Sequence, residues 1–307
     1  TGLIIFIMML TFLNLVATSG FLVGIVEGAS RSFKDQWTGD LFISNRNEKD
    51  YIEKTSDIMS VLSSFPQIEK YTARTVAGAK IEANWWEKRT EDDANIVSNQ
   101  IAGVDPVRED ETTHLSKAVV EGEWLQEGDA RGIVIGAGYL AKYSRVADLV
   151  SLLRDVTPGT TVRVTVSRAK GAVNPEQELG ATPDLTTSSS VTQDFIVRGI
   201  INSKVQFVSS RAYILDSELK KMIGKSDGDV SEISIVMKKG VDPYEVKTPL
   251  IANGFSSYAK INTASEGSPE FLVNIKLFFS IIGTILGSVS VVVALITIFI
   301  IIYINAL

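Results

Sequence analysis

The stretch LFFSIIGTILGSVSVVVALITIFIIIYI, residues 277–304, has no charged side chain in 28 positions. Its counterpart near the other end, LIIFIMMLTFLNLVATSGFLVGIV at residues 3–26, has none in 24. At about 1.5 Å of rise per residue, either run as a helix is long enough for a hydrocarbon core of roughly 30 Å. The first run holds fifteen Leu, Ile, Phe or Val residues and the second nineteen. Such content favours insertion by roughly 5–10 kcal/mol per span before polar residues subtract. A soluble core helix rarely lacks a charged face over so many residues, because one side normally meets water. The 244 residues from Glu27 to Glu270 are then expected on one side of a membrane, with both chain ends on the other.

A cleaved signal peptide competes for the first run, since Ala17-Thr18-Ser19 resembles a small-residue cleavage site. The apolar stretch continues through Phe21-Leu22-Val23-Gly24-Ile25-Val26, which a signal peptide has no reason to keep, so a retained anchor is expected. Both runs carry small residues at helix-packing spacing: Gly20, Gly24 and Gly28 in the first, Gly283 and Gly287 in the second, with Ser280 and Ser290 nearby. Four-residue spacing of glycine lets helix backbones approach closely where no hydrophobic drive exists. Gly20, Gly24, Gly283 and Gly287 are therefore the expected helix-packing positions. Asn14, the one strongly polar side chain inside the first run, suits a hydrogen bond across a helix interface better than lipid.

The net charge is −6, from 36 acidic and 30 basic residues, with no basic cluster, which argues against nucleic acid as partner. Absence of cysteine rules out disulfides, thiolate metal sites and a Cys nucleophile. A single histidine, His114, rules out a His-rich metal centre or a histidine dyad, and it reads as a surface residue. No catalytic residue, cofactor or metal ligand is expected.

Between the runs, residues 27–36 read as a helical stalk and Leu41-Phe42-Ile43 as a short strand. Ile52, Ile58, Val61, Leu62 and Phe65 recur at helical spacing up to Pro66, and residues 76–86 look extended. A second strand–helix–strand unit follows at residues 233–237, 243–252 and 255–261, with Pro249 expected to kink or shorten its helix. Two such units at opposite flanks imply one α/β subdomain built from both, with a strand-rich insertion at about 96–228. Strands are expected there at 132–135, 161–167, 192–201 and 211–215, and short helices at 138–143 and 217–223. The Gly-, Pro-, Ser- and Thr-rich residues 168–190 read as a solvated loop. The expected fold class is α+β: transmembrane helices at 1–36 (with stalk) and 271–307 flank an extracytoplasmic domain at 37–270. Its porter-like α/β subdomain comprises 37–95 and 229–265, and its inserted, mostly β subdomain comprises 96–228.

Several motifs have plainer explanations than chemistry. Gly136-Ala137-Gly138-Tyr139-Leu140-Ala141 has the G-x-G-x-x-A outline of a dinucleotide turn after a strand, with Asp155 at a plausible ribose spacing. Asp155 follows a leucine-rich, helix-like segment rather than a second parallel strand, so a tight strand–helix turn explains the glycines. Asp227-Gly228-Asp229 with Glu232 is too short for a twelve-residue calcium loop and reads as a turn before a strand. The acidic runs Glu91-Asp92-Asp93 and Glu109-Asp110-Glu111 read as solvated surface. Trp85 and Trp86 are expected to alternate across a strand, one ring buried and one exposed.

An ordered series of short motifs carries a family resemblance. Gly103-Val104-Asp105-Pro106 precedes Val120-Glu121-Gly122-Glu123-Trp124-Leu125, then Gly132-Ile133-Val134-Ile135-Gly136 with Leu140-Ala141. Pro158-Gly159-Thr160-Thr161-Val162 and Phe195-Ile196-Val197-Arg198-Gly199-Ile200 complete it. The series between two apolar runs resembles the extracytoplasmic core of MacB-type ABC transporter permeases, including lipoprotein-releasing permeases and relatives of FtsX. The resemblance implies a noncatalytic permease subunit of the cell (inner or plasma) membrane. It implies a cytoplasmic ABC ATPase as partner, a homo- or heterodimer with a second permease, and contact with membrane lipid. The chain stops at Asn305-Ala306-Leu307, where such permeases continue into a coupling segment and further spans, and residues 144–156 look inserted. A membrane-anchored sensory receptor shares this layout; a long heptad helix beyond Leu307, in place of further spans, would indicate one.

Overall fold

The computed structural model describes residues 27–47, 49–87, 94–144, 151–167, 190–225 and 228–266 (only the backbone at residue 87), together with scattered helical positions in the two apolar runs. The chain divides into two units, Thr1–Arg31 with Ser268–Leu307, and Ser32–Gly267. In the first unit the described positions of the runs, such as Met9, Phe12, Leu13, Leu277 and Phe299, are helical. Their side chains are open to the surroundings, with Met9 and Phe12 each 68% exposed and Phe299 70%. Among the described residues no helix is long and apolar enough to cross a membrane. Most of the first run and nearly half of the second, including Asn14, Gly283, Ser280 and Ser290, lie outside the described residues.

Among the described residues of the second unit ten strands form one sheet: β1 Leu41–Ser44, β2 Ile68–Ala83, β3 Ile96–Val104, β4 Val119–Gly122, β5 Gly132–Gly136, β6 Thr161–Ser167, β7 Ser190–Ile201, β8 Arg211–Leu215, β9 Glu232–Met237 and β10 Lys260–Thr263. Their order is β10-β1-β9-β2-β3-β8-β5-β7-β4, and β6 pairs with both β2 and β7. That double pairing closes a six-stranded ring, β2-β3-β8-β5-β7-β6. The 16-residue β2 is the common member. Its first half, Ile68 to Arg74, pairs with β9. From Ala79 onward β6 takes over the same edge, while β3 lines the other from Arg74 to Glu82.

The two ends of β2 serve two cores. The ring is filled by Ile81, Ile101, Ile133, Phe195 and the alternating Val162, Val164 and Val166 of β6, with Leu219 and Met222 of the helix Asp216–Ile223 packed on it. A second core joins Ile43, Ile233 and Ile235 to Ile58 and Leu62 of the helix Thr55–Ser63 and to Val246 and Leu250 of the helix Tyr244–Ala252. Residues 95 and 96 fall within the β2–β3 hairpin, where the Ala83 amide donates to the Asn95 carbonyl at 3.0 Å.

Several local expectations differ from the structure. Pro249 lies inside the helix Tyr244–Ala252, which continues past it. Residues Phe255–Ser257 form a 3₁₀ turn, and strand begins only at Lys260. Trp85 and Trp86 sit in a 3₁₀ turn after β2 rather than alternating across it, with ring centroids 4.7 Å apart, edge to face. The strand β3 and the helix Pro106–Thr113 had no periodic signal to mark them. That helix is started instead by Asp105, whose carboxylate accepts from the amides of Val107 at 3.1 Å and Arg108 at 3.0 Å, with Pro106 at the first helical position.

Candidate functional site

On β2 and β9 apolar and polar residues alternate. Tyr71, Ala73, Ile233 and Ile235 face the second core. Thr72, Arg74, Glu232 and Ser234 point to the opposite face, and all four are buried. What covers them is the helix Pro106–Thr113 together with the π-helical turn Lys34–Thr38, which continues the helical residues 27–33.

The turn delivers Trp37 into the centre of this face. Its backbone carbonyl accepts from Ser234 Oγ at 2.5 Å and Arg74 Nη2 at 3.1 Å. Its ring lies against the guanidinium groups of Arg74, 4.4 Å away, and Arg211 on β8, 4.2 Å away, and meets Phe207 edge-on at 4.5 Å. Gln36 accepts from Ser203 Oγ at 2.5 Å, and the amide of Asp40 donates to the Ile235 carbonyl at 2.7 Å. Gly39 makes the exit from the turn, at φ +65° with the Ile235 carbonyl oxygen 2.3 Å from where a Cβ would lie. Only glycine fits there.

Around Trp37 four charged side chains form a neutral lattice. Arg74, fully buried, donates through Nε at 2.9 Å and Nη2 at 2.8 Å to the two oxygens of Glu109. Glu109, equally buried, also accepts from the hydroxyls of Thr72 at 3.0 Å and Thr113 at 2.8 Å. Arg211 grips Glu232 with two donors, at 3.2 and 3.0 Å. Burial opposes the charge on Arg74, but Glu109 and then Glu232 outweigh it and hold its pKa above the ordinary value. Fork-to-fork pairing is what lets such charges tolerate a dry site. The acidic run at 109–111 is thus corrected: Glu109 points inward because the helix Pro106–Thr113 lies over a cationic face, not over water. Glu232, read as part of a turn, is likewise a buried ion-pair partner.

The chain leaves this unit beside the place where it enters. Leu41 of β1 stands opposite Thr263 of β10, and the amide of Ala264 donates to the Asp40 carbonyl at 3.0 Å. Glu266 fastens the departing segment. It accepts from Lys247, from the Thr263 amide at 2.8 Å, from Tyr244 Oη at 2.9 Å and from Thr263 Oγ1 at 3.0 Å. The Lys247 hydrogen bond first, and the Thr263 amide next, lower its carboxyl from 4.5 to about 2.

The other marked residues are scattered. In the dinucleotide-like stretch β5 is followed by two 3₁₀ turns, Ala137–Tyr139 and Ala141–Tyr143, and no helix. Its glycines answer to packing: a Cβ at Gly136 would lie 2.1 Å, and one at Gly138 2.8 Å, from the Ser209 carbonyl oxygen. Asp155 lines a shallow cleft with Leu140, Lys142 and Arg154. His114 is exposed at the end of the helix Pro106–Thr113. Glu91-Asp92-Asp93 and residues 168–189 lie outside the described residues. A methyl at Gly20, Gly24 or Gly287 would meet nothing within 4 Å, and Gly283 is among the residues not described. Among the described residues no group of three or more His, Asp or Glu could hold a metal ion.

No protein-family model matches the chain, and no curated protein does. Among solved structures, the periplasmic region of MacB from Actinobacillus actinomycetemcomitans is similar at 13% identity and a TM-score of 0.45, over 76% of this chain and 92% of that one. A domain of a putative permease protein from Porphyromonas gingivalis is similar at 10% identity and a TM-score of 0.38, over 73% and 90%. The first bears the name of the family that the motif series resembles.

Two outcomes test this geometry. Glu109→Gln leaves two buried arginines, Arg74 and Arg211, sharing the single carboxylate of Glu232 and is expected to cost about 3–5 kcal/mol in denaturant unfolding. Replacing Arg74→Met and Glu109→Leu together is expected to recover much of that loss; equal loss in both would mean the charges do not act as a pair. Glu266, with its carboxyl lowered in the folded chain, adds stability that is fully present above 4.5 and lost as pH falls toward 2. The amide of Thr263 is expected to lose exchange protection in that window, and Glu266→Gln to abolish the pH dependence.

Proposed function

We propose that this chain is the membrane-anchored part of an ABC transporter permease subunit. In this reading the runs at 3–26 and 277–304 span the cell membrane, and the ten-stranded unit is extracytoplasmic. A cytoplasmic ABC ATPase supplies the energy, and the permease acts as a homo- or heterodimer surrounded by membrane lipid. The subunit itself catalyses nothing; it turns ATPase motion into movement of the outer domain, for export or for lipoprotein release.

One observation carries the reading. The first and last strands are antiparallel neighbours, Leu41 opposite Thr263, so the strand ends nearest in sequence to the two apolar runs lie side by side. Adjacent strand ends suit a domain strung between two anchors in one bilayer, because neither anchor then needs a long linker. The exposed apolar side chains at the described positions of both runs support lipid as their environment, since water would penalise such a surface. The ordered motif series points the same way. We read the half built on β1, β9, β10 and the start of β2 as porter-like, and the closed ring as the insertion. Gly20, Gly24, Gly283 and Gly287 are assigned to helix packing; the open space at the described three leaves room for a second helix.

Because the chain has no cysteine, topology is open to a clean test. With Gln126→Cys or Ala306→Cys in intact cells, a membrane-impermeant maleimide is expected to label the first and spare the second. Labelling of both, or recovery of the protein from cytosol without detergent, would overturn the reading. Gly283→Leu with Gly287→Leu is expected to weaken dimerisation in membranes; undiminished association would remove these glycines from the interface.

A further inference from the structure

The two halves of the buried lattice are unequally satisfied. Glu109 is saturated, its two oxygens taking Arg74 Nε and Nη2 and the hydroxyls of Thr72 and Thr113. Glu232 is not. Arg211 holds it from one side, while Arg74 Nη1 stands 3.6 Å from its Oε2. Arg74 Nη1 and Arg211 Nε are both buried without a hydrogen-bond partner among the described residues. A movement of Glu232 of under about 1 Å would bring Arg74 Nη1 within hydrogen-bonding range. The carboxylate therefore has two cations within reach, and each cation has a donor unspent.

Trp37 touches both of these cations. Its ring lies against both guanidiniums, and Phe207, which meets that ring edge-on, also lies 4.0 Å from Arg211. Cation–π contact is strongest where water is absent, as it is here. The strands that carry the choice are not neighbours: Glu232 is on β9, Arg211 on β8, and β2 and β3 run between them. The Arg211–Glu232 pair is thus a tie across two intervening strands, joining the half built on β9 to the closed ring.

We propose that this tie is a two-position fastening set by Trp37. With the indole seated, Glu232 belongs to Arg211 and the two halves are held together. When residues 34–38 are displaced and the indole withdraws, Glu232 passes to Arg74, β8 is released, and the ring of strands turns relative to the half built on β9 about the part of β2 between Arg74 and Ala79, where β9 gives way to β6. The device rests on the permease reading only for the source of the displacement, since residues 34–38 follow the first apolar run in sequence.

Pulsed electron paramagnetic resonance on the full chain in lipid nanodiscs tests it. Nitroxides are placed at Ser60→Cys, on the exposed side of the helix Thr55–Ser63, and Val120→Cys, on β4. The parent is expected to give one narrow distance, and Trp37→Phe to keep it. Trp37→Ala is expected to add a second population, Glu232→Gln the same one, and the double variant nothing further. Arg211→Lys, which keeps the charge and loses the fork, is expected to show that population with Trp37 in place, should the alanine variant fail to fold. An unchanged distribution in Trp37→Ala and Arg211→Lys, or broadening in the double variant beyond either single one, would overturn the proposal. The measurement involves neither topology nor an ATPase, so its failure leaves the permease reading intact, and failed topology labelling would not alter the distances.

Discussion

The pairing of Arg74 with Glu109 is the constraint on which the arrangement of this domain turns. Arg74 occupies the residue of β2 where β9 and β3 flank it on opposite edges, so its backbone already joins the two cores. Its side chain then anchors the helix Pro106–Thr113 and, through the Trp37 carbonyl, the turn Lys34–Thr38. A single guanidinium thus organises a sheet, a helix and the segment by which the chain enters. Hydrophobic contacts could not specify this so narrowly. A fork that must meet a carboxylate fork has one geometry, and any other leaves a buried charge bare.

Closure of the strand ring follows from a change of neighbour along one edge of β2. Where β9 ends, β6 begins, and β6 is itself paired with β7. The ring has no free edge of its own, which removes the template for edge-to-edge association that an open sheet would present. The half built on β9 is an open sheet with helices on one face and the ionic lattice on the other. A closed, apolar-filled body is thereby joined to an open one by one long strand, its hairpin partner, the carboxylate of Glu232 and the contacts around Trp37.

How much of this could be read from residues alone differs by element. The alternation of Val162, Val164 and Val166 marks β6 and its inward face directly, because period two is a property of the strand itself. Arg211–Leu215 and the helix after it are equally plain. Alternation also misleads. Thr72 and Arg74 alternate with Tyr71 and Ala73, a pattern that points the polar pair to water, and Glu109-Asp110-Glu111 reads as solvated surface. Locally each pattern suits water, but Thr72, Arg74 and Glu109 are buried because the two polar surfaces cover one another. The G-x-G outline shows the same limit: close approach of Ser209 requires those glycines, and Ser209 lies some seventy residues away in sequence.

The residues by themselves determined the apolar runs, the absence of cysteine chemistry and of any histidine cluster, the α+β character and most strand positions. These depend on composition and on periodicities within ten or so neighbouring residues. Tertiary structure alone decided that β1 lies beside β10, that β6 closes a ring, and that Glu109 and Glu232 are interior. Each of those outcomes depends on which distant surface comes to rest on a given face. A charged side chain is solvated or buried according to whether its counter-charge arrives, and that meeting is a matter of the folded chain, not of any one segment.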